Sequence, residues 1–519
     1  MKSNYSIVTL FTIAFLISAV GCSDDFLERE PLDRIVTSNF YKTEADAKQG
    51  VIAVYDAWQY QSSPGVSWAP FTTVSDLLSD DALAGGGDAN DGLEQQQLHT
   101  FNCPTTNNIV HSLWLKNYTG IYRANILLEK LPEIDASDEF KTRIEAECKF
   151  LRAYFHLELV RFFENVPLLT ATIGGPSEYN QEQNTPEEVY TQIAQDLLDA
   201  MDGLPEVIPS NETGRVSKWG AKGLLARAYV FYKGVYGGTL STTQGTIDDA
   251  SVLSHLEDII SSGNFALLEN FEENFRNAGE FGSESILEIA FGDSPAWWDW
   301  GYLRGAEGNL AAQMQGPRVT GSTNWNRGWS FAPVSEKLFQ LMQGDPRLEA
   351  TIVTETQLDG TLVKGYQHTG YYSRKYTSDA EHWGSDGQFE HNRTCNYRVI
   401  RYSDILLMAA ELGSSNGQQY FDEVRARVGL PSIALNEDNL FDERHREFAL
   451  EGVRYFDIMR RGQDYAAAEL NSVGDRGQFY QGDQQTYDVN YNPAVRGFLP
   501  IPQTEIDLTP DNLFQNEGY

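Results

Sequence analysis

Five of the ten tryptophans fall within residues 295–331: Trp297, Trp298, Trp300, Trp325 and Trp329, with Tyr302 and Phe331 beside them. Gly292, Pro295, Gly301 and Gly305 punctuate the first part of that stretch, so it reads as loop. Large apolar side chains on a loop either line a binding surface or fold inward as a small satellite core. A flat indole face suits the C–H face of a sugar ring, and two rigid χ angles keep the ordering cost low. Stacking alone discriminates poorly among sugars; their hydroxyls need charged and polar partners. Asp80 and Asp81 are candidate acceptors, and Arg374, with Tyr376 and Trp383 near it in sequence, is a candidate donor group. The Asp pair reads equally well as helix-end residues.

Other chemistry is harder to find. The eight histidines are scattered, with no H-E-x-x-H motif, and there is no G-x-S-x-G nucleophile elbow. Gly85-Gly86-Gly87 is not followed by the lysine of a phosphate loop. Asp88-Ala89-Asn90-Asp91-Gly92 is one position out of step with a calcium loop, which leaves a polar turn as the default. Glu443, Glu447 and Glu451 could be taken for catalytic carboxylates. Acid precedes base at helical spacing in Glu443/Arg446, Glu451/Arg454 and Asp457/Arg460/Arg461, so the block is predicted to be a structural salt-bridge lattice. A glycoside hydrolase using two carboxylates stays open as an alternative, since 74 acidic residues could supply them, but no local pattern marks a pair. The expectation is a binding protein rather than an enzyme, with no metal and no cofactor.

The chain of 519 residues carries 39 Lys+Arg against 74 Asp+Glu, a net charge of −35. That excess disfavours nucleic acid and other polyanions and suits an uncharged or cationic ligand. At 41% hydrophobic residues the chain can bury a core, and four cysteines are too few for a disulfide scaffold. Residues 1–21 have the positive start and short apolar run of a secretory signal. Ala19-Val20-Gly21-Cys22 resembles a lipobox, so Cys22 is predicted to be lipidated and to hold the protein at a membrane, with the acidic Asp24-Asp25 resembling a surface-export signal. Cys148 is predicted to be core; a bridge between Cys103 and Cys395 is open on sequence.

Helical periodicity must position the loops. Ile144, Cys148, Leu151, Phe155, Leu159 and Phe162 form one stripe over 141–163. Further helices are predicted over about 186–202, 217–235, 399–412 and 440–461, and short strands at Ser285–Phe291 and Thr351–Thr354. Leu151-Arg152-Ala153-Tyr154 echoes Ala226-Arg227-Ala228-Tyr229, a faint sign of degenerate tetratricopeptide-type hairpins.

Cys22 to Leu27, Phe150-Leu151-Arg152-Ala153-Tyr154, Gly214-Arg215-Val216-Ser217-Lys218, Arg401-Tyr402-Ser403-Asp404-Ile405-Leu406, Glu443 to Asp457 and Leu499-Pro500-Ile501-Pro502 form an ordered set along the chain. Together they resemble the SusD/RagB family of outer-membrane glycan-binding lipoproteins. Near the end, Glu517 stands where the family usually has proline. The resemblance implies a mostly α fold, a helix-hairpin scaffold over 22–245 packed as one body with a loop-rich half over 246–519. It also implies a non-enzymatic protein that delivers oligosaccharide to a SusC-like TonB-dependent transporter. The charge excess makes a neutral β-glucan such as laminarin the expected ligand; a peptide cargo is the alternative within the family.

Overall fold

A computed structural model of the chain describes residues 40–61, 67–175, 178–293, 308–384, 390, 392–471 and 488–519. Cys22, the signal segment, and Trp297, Trp298, Trp300 and Tyr302 lie outside the described residues.

The first half is a stack of helices: α1 (Glu44–Gln59), α2 (Phe71–Leu78), α3 (Leu93–His99), α4 (Asn108–Lys130), α5 (Asp138–Phe163), α6 (Pro186–Gly203), α7 (Lys218–Tyr236) and α8 (Asp249–Ser261). From α4 onward each long helix packs on the next, and α1 closes the stack against α4 and α5. This is the packing of a helical repeat array, in which each hairpin buries its stripe on its neighbours. The α5 stripe is wholly buried, from Ile144 to Phe162. At Gly120 of α4 an added Cβ would lie 2.3 Å from the Phe155 ring, so only glycine admits so close a crossing. Starts are set locally. Thr185 accepts from the Glu188 amide while the Glu188 carboxylate accepts from the Thr185 amide, a capping box that opens α6 at Pro186. Arg152 of α5 is buried as well, although it lies off the apolar stripe. It donates to both carboxylate oxygens of Asp196 on α6 (2.7 and 2.8 Å) and to Asn125 on α4 (2.9 Å).

A hairpin, β1 (Leu240–Thr242) and β2 (Gly245–Ile247), precedes α8. The second half then carries short pieces. Strands β3 (Ser285–Ile289) and β8 (Tyr397–Arg401) pair antiparallel, as do β4 (Val319–Thr320) with β6 (Thr361–Leu362) and β5 (Ile352–Thr354) with β7 (Tyr371–Ser373). Between them lie α9 (Leu310–Gln315), α10 (Glu336–Leu341) and α11 (Leu348–Thr351). After β8 come α12 (Tyr402–Glu411), α13 (Gly417–Arg427), α14 (Glu437–Phe448), α15 (Arg454–Met459), α16 (Gln463–Leu470) and α17 (Gln503–Leu508). The main apolar cluster draws on both halves, from Ala47 and Leu151 to Ile405, Phe456 and Ile501.

Two predicted helices differ. The segment 399–412 begins as β8, because Leu287 and Glu288 offer it a partner strand. The segment 440–461 breaks at Leu450-Glu451-Gly452, where Leu450 and Gly452 both have positive φ (62° and 72°). A Cβ at Gly452 would lie 2.9 Å from the Phe71 ring, so the turn is pressed against α2.

The charged block is a lattice, but its partners are mostly distant in sequence. Arg347 donates to Asp345, Glu443 and Glu447; Arg401 donates to Glu284, Glu447 and Glu451; Arg444 joins Asp404 to Asp457. Of the predicted local pairs, Asp457–Arg460 forms, at 2.8 Å, whereas Glu443 pairs with Arg347 and Arg425, and Arg446 with Asp442. Cys103, Cys148 and Cys395 are buried free thiols, so the Cys103–Cys395 bridge does not form; burial pushes both up to about 12.

Candidate functional site

Asp80 and Asp81, expected as sugar acceptors, face protein partners rather than solvent. Both are buried, and both tie α2 and the turn after it to the second half. Asp80 receives Arg454 (2.8 and 3.1 Å) and Lys337 (2.6 Å). Burial would raise its carboxyl, yet Arg454, His445 and Lys337 hold it well below the usual carboxylate range. Asp81 accepts from His445 Nε2 (2.7 Å) and from the Leu450 amide (3.3 Å), while Asp76 accepts from the Gly452 amide (3.0 Å). The carboxylates thus satisfy the broken turn's amides. Asp80, Asp81 and His445 converge closely enough to hold a cation, but Arg454 and Lys337 already supply the positive charge there. The Asp88–Gly92 stretch is a polar turn: Asp91 accepts from the Gly87 amide (2.6 Å) and Asp88 from the Asn90 amide (2.8 Å).

Tyr376 is also withdrawn from ligand. It is fully buried, and its hydroxyl accepts from the Arg398 amide (3.1 Å). Trp325 is 6% exposed, packs with Val319, Val353 and Tyr372, and has the Arg374 guanidinium over its ring at 5.2 Å, so its face is already covered. Arg374 is partly exposed and donates to Asp379 (3.1 Å) and Glu272 (3.4 Å). It sits in an open cavity of about 490 Å³ with Asn324, Trp325, Glu349, Gln357 and Glu381. Trp383 is half-buried, its indole N–H donating to the Ser378 carbonyl (3.2 Å).

Trp329 has the surroundings of a platform. It is half-buried and lies 5.2 Å from the ring of Trp68, itself half-buried, at an interplanar angle of 36°. Phe331 meets Trp329 edge-on at 6.1 Å, and Leu310 and Met314 back the group. The indole N–H of Trp329 donates to Glu390 (3.3 Å). The backbone here is held by hydrogen bonds to two other segments: the Trp329 amide donates to the Gln313 carbonyl (2.9 Å), and the Gly85 and Gly86 amides donate to the carbonyls of Phe331 (3.1 Å) and Ser330 (2.8 Å). Both flanks of the Trp297–Tyr302 segment are fixed near the end of α1. Gln59 donates to Ala290 (2.5 Å), and Gln61 donates to Gly308 (3.0 Å) while accepting from Ala311 (3.2 Å). Gln61 also accepts the Ala69 amide (2.7 Å), one residue from Trp68. The structure therefore brings Trp68 and Trp329 near Gly308, the described residue that follows the tryptophan-dense segment. Sequence reasoning missed Trp68, a lone tryptophan in a Ser-, Pro- and Gly-rich stretch whose partner is about 260 residues away.

Comparison with known proteins fits this arrangement. A family model described as SusD family matches residues 355–519, and one described as starch-binding, associating with outer membrane, matches residues 25–230. A solved laminarin-binding SusD-like protein is 33% identical, with 92% of this chain and all of that one covered, at a TM-score of 0.79. The chain belongs to the SusD/RagB family. A surface glycan-binding protein A of Bacteroides thetaiotaomicron, solved with laminarihexaose, is 28% identical over 92% of this chain and all of its own, at a TM-score of 0.78. The SusD-like protein P2 of Formosa agariphila is 26% identical, covering 98% of each chain. The helix-hairpin reading and the family assignment thus agree with the structure. Among the described residues of this SusD-like protein, no helix is long and apolar enough to cross a membrane.

Proposed function

We propose that the protein captures a neutral β-1,3-glucan of the laminarin type on the face built from Trp68 and Trp329, extended by Trp297, Trp298, Trp300 and Tyr302. The observation that carries this is the pair of half-buried indoles, backed by Leu310, Met314 and Phe331, beside the described flank of the tryptophan-dense segment. Two relatives named for laminarin or solved with laminarihexaose support the ligand class. Arg374 and its cavity, with Trp383, are the best polar candidates for a further contact along the chain.

The remaining steps follow from family membership and the leader sequence. Cys22 carries the lipid, the body stands on the outer face of the outer membrane, and bound glycan passes to a SusC-like TonB-dependent transporter. Binding without turnover is the activity. Affinity electrophoresis against laminarin, starch and a sulfated polysaccharide, run beside product analysis after long incubation, tests the whole reading. Retardation by laminarin without cleavage is expected; released oligosaccharide would make the protein a glycoside hydrolase. Displacement of laminarin by peptides would shift the cargo to peptide. A Cys22→Ala variant is expected to lose acyl labelling and the membrane fraction.

A further inference from the structure

Arginine in this acidic protein is almost always paired. Among the described residues, Arg318 and Arg327 have no carboxylate oxygen within 4.0 Å, whereas the arginines of the helical stack and of the buried lattice do. Arg393 is buried against Gln313, which accepts from its Nε and Nη2. Arg318 is half-buried, and Nη1 donates to the carbonyl of Trp329 (3.3 Å). Its Nε is buried without a hydrogen-bond partner. A Cβ placed on Gly87 would lie 3.4 Å from its Nη2, so the guanidinium lies along the 85–92 loop. Asp91 and Asp88 attract it from that loop without reaching it, and each also accepts a backbone amide, from Gly87 and Asn90 respectively. Gly328 donates to the Pro317 carbonyl (2.8 Å), which sets the exposed Arg327, two residues before Trp329, beside Arg318; burial and the second guanidinium both lower the Arg318 pKa.

A second observation lies beside the first. Gln367 is 2% exposed, and neither atom of its side-chain amide has a partner. Its neighbour Tyr366 donates to Gly86 (3.0 Å), and a Cβ on Gly365 would lie 3.5 Å from Arg318 Cδ. Partly desolvating a guanidinium next to another, with no carboxylate in contact, is costly in the free protein. Planar N–H forks fit oxyanions bidentately.

We infer that Arg318 and Arg327 form a subsite for a single anionic substituent, a carboxylate or a sulfate ester, carried by a glycan lying on the Trp68–Trp329 platform. This rests on the platform reading above and refines it. The net charge of −35 still repels a polyanion, but its field is screened beyond about 8 Å at physiological salt, so one substituent in contact with two arginines is read locally.

The test compares the mature protein with Arg318→Gln, Arg327→Gln and the double variant. Ligands are laminarin, laminarin lightly oxidised to carboxylate at its primary alcohols, and laminarin lightly sulfated. The wild type is expected to bind one anionic form about fivefold tighter than the neutral polymer, an advantage that shrinks as salt rises. The preferred form identifies the group. The double variant is expected to hold neutral laminarin as before and lose the preference. Equal binding of all three polymers by the wild type, or a preference that survives in the double variant, overturns the inference. Should no laminarin bind, glucuronic acid and glucose 6-sulfate titrated against tryptophan fluorescence keep the two readings apart. A response in the wild type that the double variant lacks then supports the subsite alone, and no response to either probe removes it. Arg327 is exposed, so its single variant serves if the double variant does not fold.

Discussion

Residues 44–261 and residues 310–470 hold their shape by different means. In the first region α4 to α8 bury continuous apolar stripes on one another, and Arg152–Asp196 is a polar rivet within them. In the second, short strands and helices hang on a buried ionic lattice whose hubs are Arg347, Arg401, Glu447 and Glu451, all 2% exposed or less. Apolar stripes are generic and tolerate exchange of shape for shape, whereas a lattice of forks and carboxylates is specific and intolerant. Buried pairs add little net stability over apolar packing, yet losing one partner leaves an uncompensated charge. Loops that carry a ligand face can vary only if something irregular but rigid fixes their roots, and the lattice supplies that.

The largest expected effect comes from removing a hub. Glu447→Ala leaves Arg347, Arg401 and Arg427 each short of an acceptor, and is expected to cost about 3–5 kcal/mol in a urea melt, or to prevent folding. A cost below about 1 kcal/mol would mean the lattice is ornamental. Leu151→Ala in the helical region should cost about 2–5 kcal/mol. The conservative exchanges sharpen the contrast. Leu151→Met is expected to stay under about 1.5 kcal/mol, whereas Arg401→Lys, which cannot reach Glu284, Glu447 and Glu451 at once, should cost more than that.

Each region also holds a histidine that burial keeps neutral. Burial, aided by Arg152, lowers His156 to about 3; burial, aided by Arg276, lowers His382 to about 4. His156 donates through Nδ1 to the Arg152 carbonyl and accepts the Leu169 amide at Nε2, so a second proton would displace that amide. Below about pH 6.5 the unfolded chain binds these protons and the folded chain does not. Stability is therefore lost as pH falls from about 6.5 toward the folded values, by about 2 kcal/mol for each histidine between pH 7.5 and 5. Glu280 acts oppositely, since burial raises it to about 7 and its cost fades on acidification. Comparing wild type with His156→Gln in urea melts at pH 7.5 and 5 isolates one histidine; an unchanged pH dependence would contradict the assignment.

The same contrast explains what the sequence discloses. The α5 stripe and the Thr185-Pro186 start are local patterns, and they appear where periodicity and capping chemistry place them. Leu450-Glu451-Gly452 looks helical until Asp76 and Asp81, about 370 residues earlier, take its amides. Glu443 has a good local partner in Arg446 yet pairs with Arg347, because a fully buried guanidinium must have all its N–H groups met by the fold, whereas Arg446 is partly exposed and can turn to Asp442. Asp80 and Asp81 have the residue type of sugar ligands, but only the fold shows that Arg454 and His445 reach them first. Trp325 and Trp329 are four residues apart with similar neighbours; one is capped by Arg374 and the other faces Trp68.

The smallest effect on stability should come from the platform itself, which packs on loops rather than in the main core. That makes Trp68→Ala/Trp329→Ala the most direct test of the account. Calorimetric titration with laminarin oligosaccharides, on protein with an unchanged circular dichroism spectrum, is expected to show affinity reduced at least about tenfold. Wild-type affinity in the folded double variant would contradict the assignment of this face as the glycan site.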